Sequence, residues 1–390
     1  MGAQRWAEWR QPSAARQCSR GRLGGVGLME VASLSRIRDW LRRSRTALSR
    51  TAVPRTAPPE RSANAGEPRA VSGYNEQVTA SKLCALVACA IAASVVLVRP
   101  ACAAPQAVEV VDEVSIGDRM SRIDVYSPAM NRVISNRVIR AAGDGPAPTL
   151  YLLTGAGGAE DGISWWDDTD VRDFFADKHV NVVLPTGGAF SLYTDWLADD
   201  PIAGRNRWQT YLTRELPAAV DTQLGTTGRN AIGGVSMSAG SAIDLAVQAS
   251  DVYSAVASYS GCPWTSDPAG IAMASAVVMR GGGNPANMWG SPGGEVWRSH
   301  DPSINAGRLA GKTVYLSAAS GIPGPIDRGG IPSPIIEAIA SSCTGSFAAR
   351  LTDLGMPPIY LNRPLGSHTW GQFETDLHDS WPHLARAIGA

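Results

Sequence analysis

Residues 231–240 read Ala231-Ile232-Gly233-Gly234-Val235-Ser236-Met237-Ser238-Ala239-Gly240. A short apolar run enters a glycine pair and reaches a serine. Small residues follow, and Ser241-Ala242-Ile243-Asp244-Leu245-Ala246-Val247 has the look of a helix. The pattern predicts strand, sharp turn and helix, with Ser236 on the turn. Such a turn lifts a serine hydroxyl above a sheet and leaves the next backbone N–H, that of Met237, facing a reacting oxygen. Ser236 is thus the candidate nucleophile, and the other motifs are weighed by what they bring to it.

The chain has 390 residues with 35 basic and 35 acidic side chains, a formal charge of zero. That balance gives no electrostatic case for a nucleic-acid partner. The 41 glycines and 26 prolines imply many loops without low complexity. Most of the 12 tryptophans fall in loops flanking predicted strands. They suggest a cleft for an apolar or sugar ligand; ordinary loop packing is the plainer alternative.

Residues 1–80 are rich in Arg, Ser, Ala, Pro and Gly and carry no sustained period. They read as disordered, or as sequence upstream of the true start, with Val78 a possible initiator. Residues 81–104 read as a signal peptide. Lys82 precedes the apolar stretch Leu83–Val98, and small residues follow at Ala101-Cys102-Ala103-Ala104. The stretch is short for a membrane span and suited to a signal core. A retained signal anchor is the alternative. Cleavage leaves residues 105–390 as one catalytic domain, secreted or held at the cell envelope and expected to be monomeric. Of six cysteines, Cys18, Cys84, Cys89 and Cys102 precede or lie within the signal. Cys262 and Cys343 remain, as one disulfide or as two thiols.

Within that domain, Val108–Ile116 and Arg122–Tyr126 suggest opening strands. Near-continuous apolar strands follow at Thr149–Leu153, Val180–Leu184, Ala231–Val235, Tyr253–Tyr259, Thr313–Ala318 and Pro358–Leu361. Helical patterns lie between them, at Thr169–Ala176 and at Trp208–Gln223, where Leu212, Leu216 and Val220 share a face. Repeated strand–loop–helix units predict an α/β fold: a mostly parallel central sheet with helices on both faces. Ala272–Arg280 and the glycine-rich Gly281–Pro302 interrupt the rhythm, the latter as an excursion above the sheet.

A serine needs a base. His368 follows the last predicted strand, and in a parallel sheet the loops after the strands gather at one edge. His179 precedes a strand at the far edge, His300 lies in the excursion, and His378 and His383 fall in a C-terminal helix as surface or packing residues. The acid should lie between serine and histidine. Asp327 and Glu337 both follow the Thr313–Ala318 strand, and spacing alone leaves them equal. The oxyanion donors are the Met237 N–H and one from the loop after Leu153, near Gly155 and Ala156. Ser238 as nucleophile is poorly positioned. Histidines and acids lack metal-ligand spacing, and neither metal nor cofactor is expected.

Several stretches carry a specific likeness. They are Tyr151-Leu-Leu-Thr-Gly-Ala-Gly-Gly-Ala-Glu-Asp161, Val182-Val-Leu-Pro-Thr-Gly-Gly188, Tyr193-Thr-Asp-Trp196 and Trp208-Gln-Thr-Tyr-Leu-Thr-Arg-Glu-Leu-Pro217. Gly234-Val-Ser-Met-Ser238, Asn287-Met-Trp-Gly290 with Asp301-Pro302, and Gly366-Ser-His-Thr-Trp370 complete the set. In these the chain, from about Val108 to Ile388, resembles the mycolyltransferases of the antigen 85 complex, most closely their corynebacterial type.

The resemblance implies an α/β-hydrolase fold and a Ser-Glu-His triad. Ser236 matches the nucleophile, His368 the base and Glu337, rather than Asp327, the acid. Met237 and Ala156 match the oxyanion donors. Thr154, Trp196, Trp289 and Trp370 fall in the substrate-binding loops, and Cys262 with Cys343 is the expected disulfide. The implied reaction moves a mycoloyl group from trehalose monomycolate to a sugar hydroxyl, on a second trehalose monomycolate or on arabinogalactan, through an acyl-serine. An apolar tunnel would hold the lipid. One departure concerns the loop after Leu153. Mycobacterial members carry Asp-Gly-Leu-Arg where this chain has Thr154-Gly155-Ala156-Gly157, so Thr154 and Gly157 replace the sugar-contacting aspartate and arginine. A secreted carboxylesterase with the same triad, and a wall-binding relative without catalysis, are the competing functions.

Overall fold

A computed structural model describes residues 107–390; the disordered extension and the signal peptide expected over 1–104 lie outside the described residues. The strands are β1 (Glu109–Gly117), β2 (Met120–Ser127), β3 (Arg132–Ile139), β4 (Thr149–Leu153), β5 (Asn181–Pro185), β6 (Asn230–Val235), β7 (Tyr253–Tyr259), β8 (Thr313–Ala319) and β9 (Ile359–Arg363). They form one sheet in the order β1-β2-β3-β5-β4-β6-β7-β8-β9.

β1, β2, β3 and β5 pair antiparallel in turn. From β5 through β4 and β6 to β9 every pairing is parallel. The physical reason is burial. β4, β5 and β6 are buried along their whole length, as strands covered on both faces must be. In β2 burial alternates residue by residue, as in a strand with one wet face.

The helices that matter to the site are α1 (Trp165–Asp168), α2 (Val171–Phe174), α3 (Leu216–Leu224), α4 (Met237–Gln248), α5 (Pro268–Arg280), α6 (Pro285–Trp289), α7 (Glu295–Ser299), α8 (Pro334–Asp353) and α9 (Trp370–Ile388). On one face of the sheet Leu216 and Val220 of α3, Ile243 and Val247 of α4, and Phe347 and Leu351 of α8 join the core. On the other, Trp165, Phe175 and the Phe373, Leu377, Trp381 and Leu384 stripe of α9 cover the strands. A satellite core of Trp196, Val278, Met288, Trp289 and Trp297 closes the excursion above the sheet.

Three expectations need correction. β3 is a full strand that the sequence reading passed over, because Arg132, Ser135, Asn136 and Arg137 break its apolar pattern. Its Asn136 is buried and satisfied, donating to the Ile123 carbonyl at 3.1 Å and to the Tyr211 hydroxyl at 2.9 Å. The predicted helix 208–223 is composite: Trp208–Thr210, a π turn Tyr211–Glu215, then α3. The interrupting segment contains real helices, with α5 over its first part and α6 and α7 within the glycine-rich residues, rather than loop alone.

Among the described residues no helix is long and apolar enough to cross a membrane.

Candidate active site

The strand order reverses between β4 and β6. After β4 the chain goes out to β5 on one side, then returns to lay β6 on the other. Loops leaving the carboxyl ends of two such strands open a crevice, the usual ligand position in an open α/β sheet. Here the two loops carry Thr154–Gly158 and Ser236. They touch: a side-chain carbon on Gly155 would lie 3.8 Å from the Ser236 Cβ.

Ser236 sits at φ 56°, ψ −117°, outside the broad wells open to L-residues, and α4 begins at the next residue. Holding a non-glycine there costs about 1–3 kcal/mol, met by the packing around it. Gly234 makes the turn possible, since a Cβ there would stand 2.1 Å from the Ser238 carbonyl oxygen. Gly261 does the same from β7, where a Cβ would meet the Ala239 Cβ at 2.2 Å. Met237 is the first residue of α4, so its N–H has no carbonyl within the helix to bind. Ala156 lies at the centre of a tight turn closed by the Gly158 N–H on the Gly155 carbonyl at 3.2 Å. These are the two positions expected to supply oxyanion donors.

His368 Nε2 lies 2.9 Å from Ser236 Oγ, and His368 Nδ1 lies 2.7 Å from Glu337 Oε2. The histidine is held at φ 67°, the left-handed region, on the loop between β9 and α9. Glu337 is fully buried in the first turn of α8, where the helix dipole stabilises an anion. Its Oε1 accepts from Ser260 Oγ at 2.8 Å, the Ala319 N–H at 2.5 Å and Gln372 Nε2 at 2.8 Å. Oε1 is occupied by three donors, and Oε2 is left to the imidazole.

The rival acid has another task. Asp327 Oδ1 accepts the Ser367 N–H at 2.9 Å and the Thr369 hydroxyl at 2.8 Å, while Oδ2 accepts the Gly324 N–H at 2.6 Å. It braces the two residues flanking His368. Burial pushes its carboxyl up, but these hydrogen bonds outweigh that and hold it below the ordinary carboxylate range.

The other histidines stand apart. His179 Nδ1 meets the Ala142 carbonyl at 2.7 Å at the opposite sheet edge. His300 Nδ1 pairs with Asp244 Oδ2 at 2.8 Å and its ring stacks on Trp289 at 5.0 Å. Burial lowers its tendency to hold a proton, and the Asp244 charge more than reverses that, so its pKa is raised. The pair lines a cavity of about 30 Å³ beside Met237 and Cys262, room for a water or two. His378 stacks on Phe174 and lies with Asp170 and Glu374, their ligand atoms within 4.8 Å of one another. Spacing along the chain hid this grouping, which joins residues 208 positions apart. Its atoms are committed internally: His378 Nε2 to Asp170 at 2.9 Å, and Glu374 to the Asp170 N–H at 3.0 Å and to Arg328.

The expected sugar-facing tryptophans are differently used. Trp196 is 2% exposed and Trp289 4%. Trp196 Nε1 donates to the Ser191 carbonyl at 3.0 Å, and Trp289 Nε1 to Thr194 Oγ1 at 3.1 Å. Trp370 packs edge-on against Trp165 and Phe373. These indoles find apolar neighbours in the core, and Trp196 and Trp289 find acceptors too, so they shape the loops rather than present a face to a sugar. Thr154 is buried and borders a cavity of about 10 Å³, and its hydroxyl has no hydrogen-bond partner. Cys262, after β7, and Cys343, on α8, are joined as a disulfide with Cα atoms 4.9 Å apart.

The sequence reading missed Ser260 and Gln372. Nothing in the spacing marked Gln372, because His368 lies on the loop before α9 and only the left-handed backbone at that residue turns its N–H onto the amide.

The family model described as "Putative esterase" matches residues 127–384. The diacylglycerol acyltransferase/mycolyltransferase Ag85A of Mycobacterium leprae is 30% identical over 280 residues, covering 69% of this chain and 83% of the relative. The Ag85B protein of Mycobacterium avium, of the same description, is 29% identical over 279 residues, covering 69% and 83%. Among solved structures, Mycobacterium tuberculosis MPT51 (FbpC1) matches with TM-score 0.61 and 26% identity, over 70% of this chain and all of that one. A Staphylococcus aureus serine hydrolase, FphF, matches in fold with TM-score 0.53 and 14% identity, over 67% of this chain and 96% of its own. The chain therefore belongs to the putative esterase family, with the antigen 85 mycolyltransferases as relatives, and is a serine-dependent acyltransferase or esterase of the α/β-hydrolase fold.

Proposed function

We propose that this protein transfers a mycoloyl group from trehalose monomycolate to a sugar hydroxyl, with Ser236, His368 and Glu337 as its triad. The observation that carries the reading is the unbroken hydrogen-bonded line from Ser236 Oγ through His368 to Glu337, at 2.9 and 2.7 Å. The names of the Ag85 relatives supply the acyl group.

Ser236 Oγ attacks the ester carbonyl carbon as its proton passes to His368 Nε2. The oxyanion is met by the N–H groups of Met237 and Ala156. Collapse breaks the ester bond, His368 gives the proton to the departing sugar oxygen, and an acyl-serine remains. The acceptor hydroxyl, on a second monomycolate or on arabinogalactan, then attacks that acyl carbon. It loses its proton to His368, which returns it to Ser236 Oγ as the product leaves. Glu337 holds the imidazole tautomer and stabilises the imidazolium. The enzyme acts outside the membrane as an exported envelope protein, in keeping with those substrates.

Esterase action is the second reading, favoured by the family description. Labelled trehalose monomycolate given to the protein and to Ser236→Ala separates the two. Dimycolate that appears with the protein and not with the variant supports transfer. Free mycolate alone makes it an esterase, and turnover by neither makes it a binding protein.

A further inference from the structure

One side chain touches both the base and the acid. Gln372, fully buried in the first turn of α9, accepts the His368 backbone N–H on Oε1 at 3.0 Å. Its Nε2 donates to Glu337 Oε1 at 2.8 Å and lies 2.8 Å from Ser260 Oγ. Ser260 in turn donates to the same Glu337 oxygen at 2.8 Å. The three polar groups close a ring behind the imidazole, away from solvent.

The surroundings are shaped to admit this amide. A Cβ on Gly366 would stand 2.8 Å from Gln372 Oε1 and 2.6 Å from the Ala319 Cβ, so the loop before His368 makes room for both. His368 sits in the left-handed region at φ 67°, where a residue with a Cβ persists only if its surroundings hold it. The Gln372 carbonyl supplies one such hold by accepting the His368 N–H. No other amino acid reproduces this set of bonds unchanged. Both a donor and an acceptor are required at opposite atoms of one planar group.

We propose that Gln372 is a positioning residue for the reaction, its amide setting the separation and relative orientation of His368 and Glu337. It touches no substrate; it acts by holding the base at the length of a short hydrogen bond from the acid while steering the acid's other oxygen away. The proposal rests on the triad reading above.

The test uses the full chain and a p-nitrophenyl acyl ester, with Gln372→Leu, Gln372→Glu and Ser236→Ala beside wild type. Gln372→Leu keeps a side chain of similar size and loses all three hydrogen bonds of the amide. Its kcat is expected to fall about 100-fold, the scale of a small misplacement of reacting groups, with KM changed less than about threefold. Gln372→Glu sets a second carboxylate against Glu337. Two carboxylates at that distance resist ionising together, so one proton is retained to higher pH and can stand in for the amide donor. The ratio of variant to wild-type kcat/KM should therefore fall by about tenfold as pH rises from 6 to 9 and that proton leaves. A residue that merely packs would leave kcat unchanged in a folded Gln372→Leu.

Melting temperatures of the variants separate loss of fold from loss of alignment. Wild-type kcat in Gln372→Leu, or a flat ratio for a folded Gln372→Glu, overturns the proposal. Activity surviving in Ser236→Ala overturns the triad reading itself, a result distinguishable from either.

Discussion

The Ser238 hydroxyl lies 3.1 Å from the Leu153 carbonyl, tying the end of β4 to the turn that carries the nucleophile. The same oxygen accepts the Val235 N–H at 2.8 Å and faces the Val235 carbonyl at 3.1 Å. Ser238 is wholly buried, so the second serine of the motif is a brace and not a rival nucleophile. Ser238→Ala leaves a buried N–H without its acceptor and should cost about 2 kcal/mol in urea unfolding, with phosphonate labelling intact. Ser236→Ala should stay as stable and lose the label. The reverse pattern of labelling would exchange the two roles.

Glu337 and Asp327 divide the work that spacing along the chain could assign to either. Glu337→Ala removes the partner of His368 and should lower kcat about a thousandfold. Asp327→Ala frees the Ser367 N–H and Thr369 hydroxyl, and should cost about 1–3 kcal/mol of stability with a far smaller loss of kcat. Because its carboxyl is held below the ordinary aspartate value of 3.8, the Asp327 contribution is present above that pH and disappears as pH falls through the lower, folded value. Acid unfolding of wild type and Asp327→Ala should converge below pH 3.8. Equal kcat losses in the two alanine variants would return the acid to open question.

His300 gives stability of the opposite pH sense. Burial works to lower its pKa, but the Asp244 charge and hydrogen bond outweigh that and raise it above the ordinary histidine value of 6.5. The ion pair therefore contributes fully below 6.5 and fades as pH rises through the folded value. The Tm difference between wild type and Asp244→Asn should be larger at pH 5.5 than at pH 9. A difference that grows with pH would contradict the pairing.

The Cys262–Cys343 bond closes a loop of 81 residues and ties the end of β7 to the helix bearing the acid. Cys262→Ser with Cys343→Ser should cost about 2–4 kcal/mol. Reductant should lower the Tm of wild type toward that of the double variant and leave the variant unmoved. A wild-type Tm insensitive to reductant under unfolding conditions would remove the bond from the account.

Much of this was legible along the chain, for reasons that differ by element. β4, β6 and β7 are buried on both faces and read as plain apolar runs. The turn at Ser236 announces itself because only glycine fits Gly234. His368 follows from topology, since a parallel sheet collects its loops at one edge. β3 did not, because its buried Asn136 is paid for by partners in β2 and at Tyr211, 75 residues away. Nor did the tryptophans: indoles in a loop read as open to a ligand until the fold supplies apolar neighbours around them. Spacing alone left Asp327 and Glu337 equal; the resemblance chose Glu337, and the hydrogen-bond partners show what each carboxylate holds.

The order of the sheet also sets a timetable. Ser236 follows β6, the acid follows β8, and the base arrives between β9 and α9, whose stripe packs across the strands. A chain emerging from its amino end therefore carries a nucleophile for more than 130 residues before any base can reach it. A polypeptide laid down in that order leaves the Ser236 hydroxyl without an imidazole partner until its last loop and helix are in place.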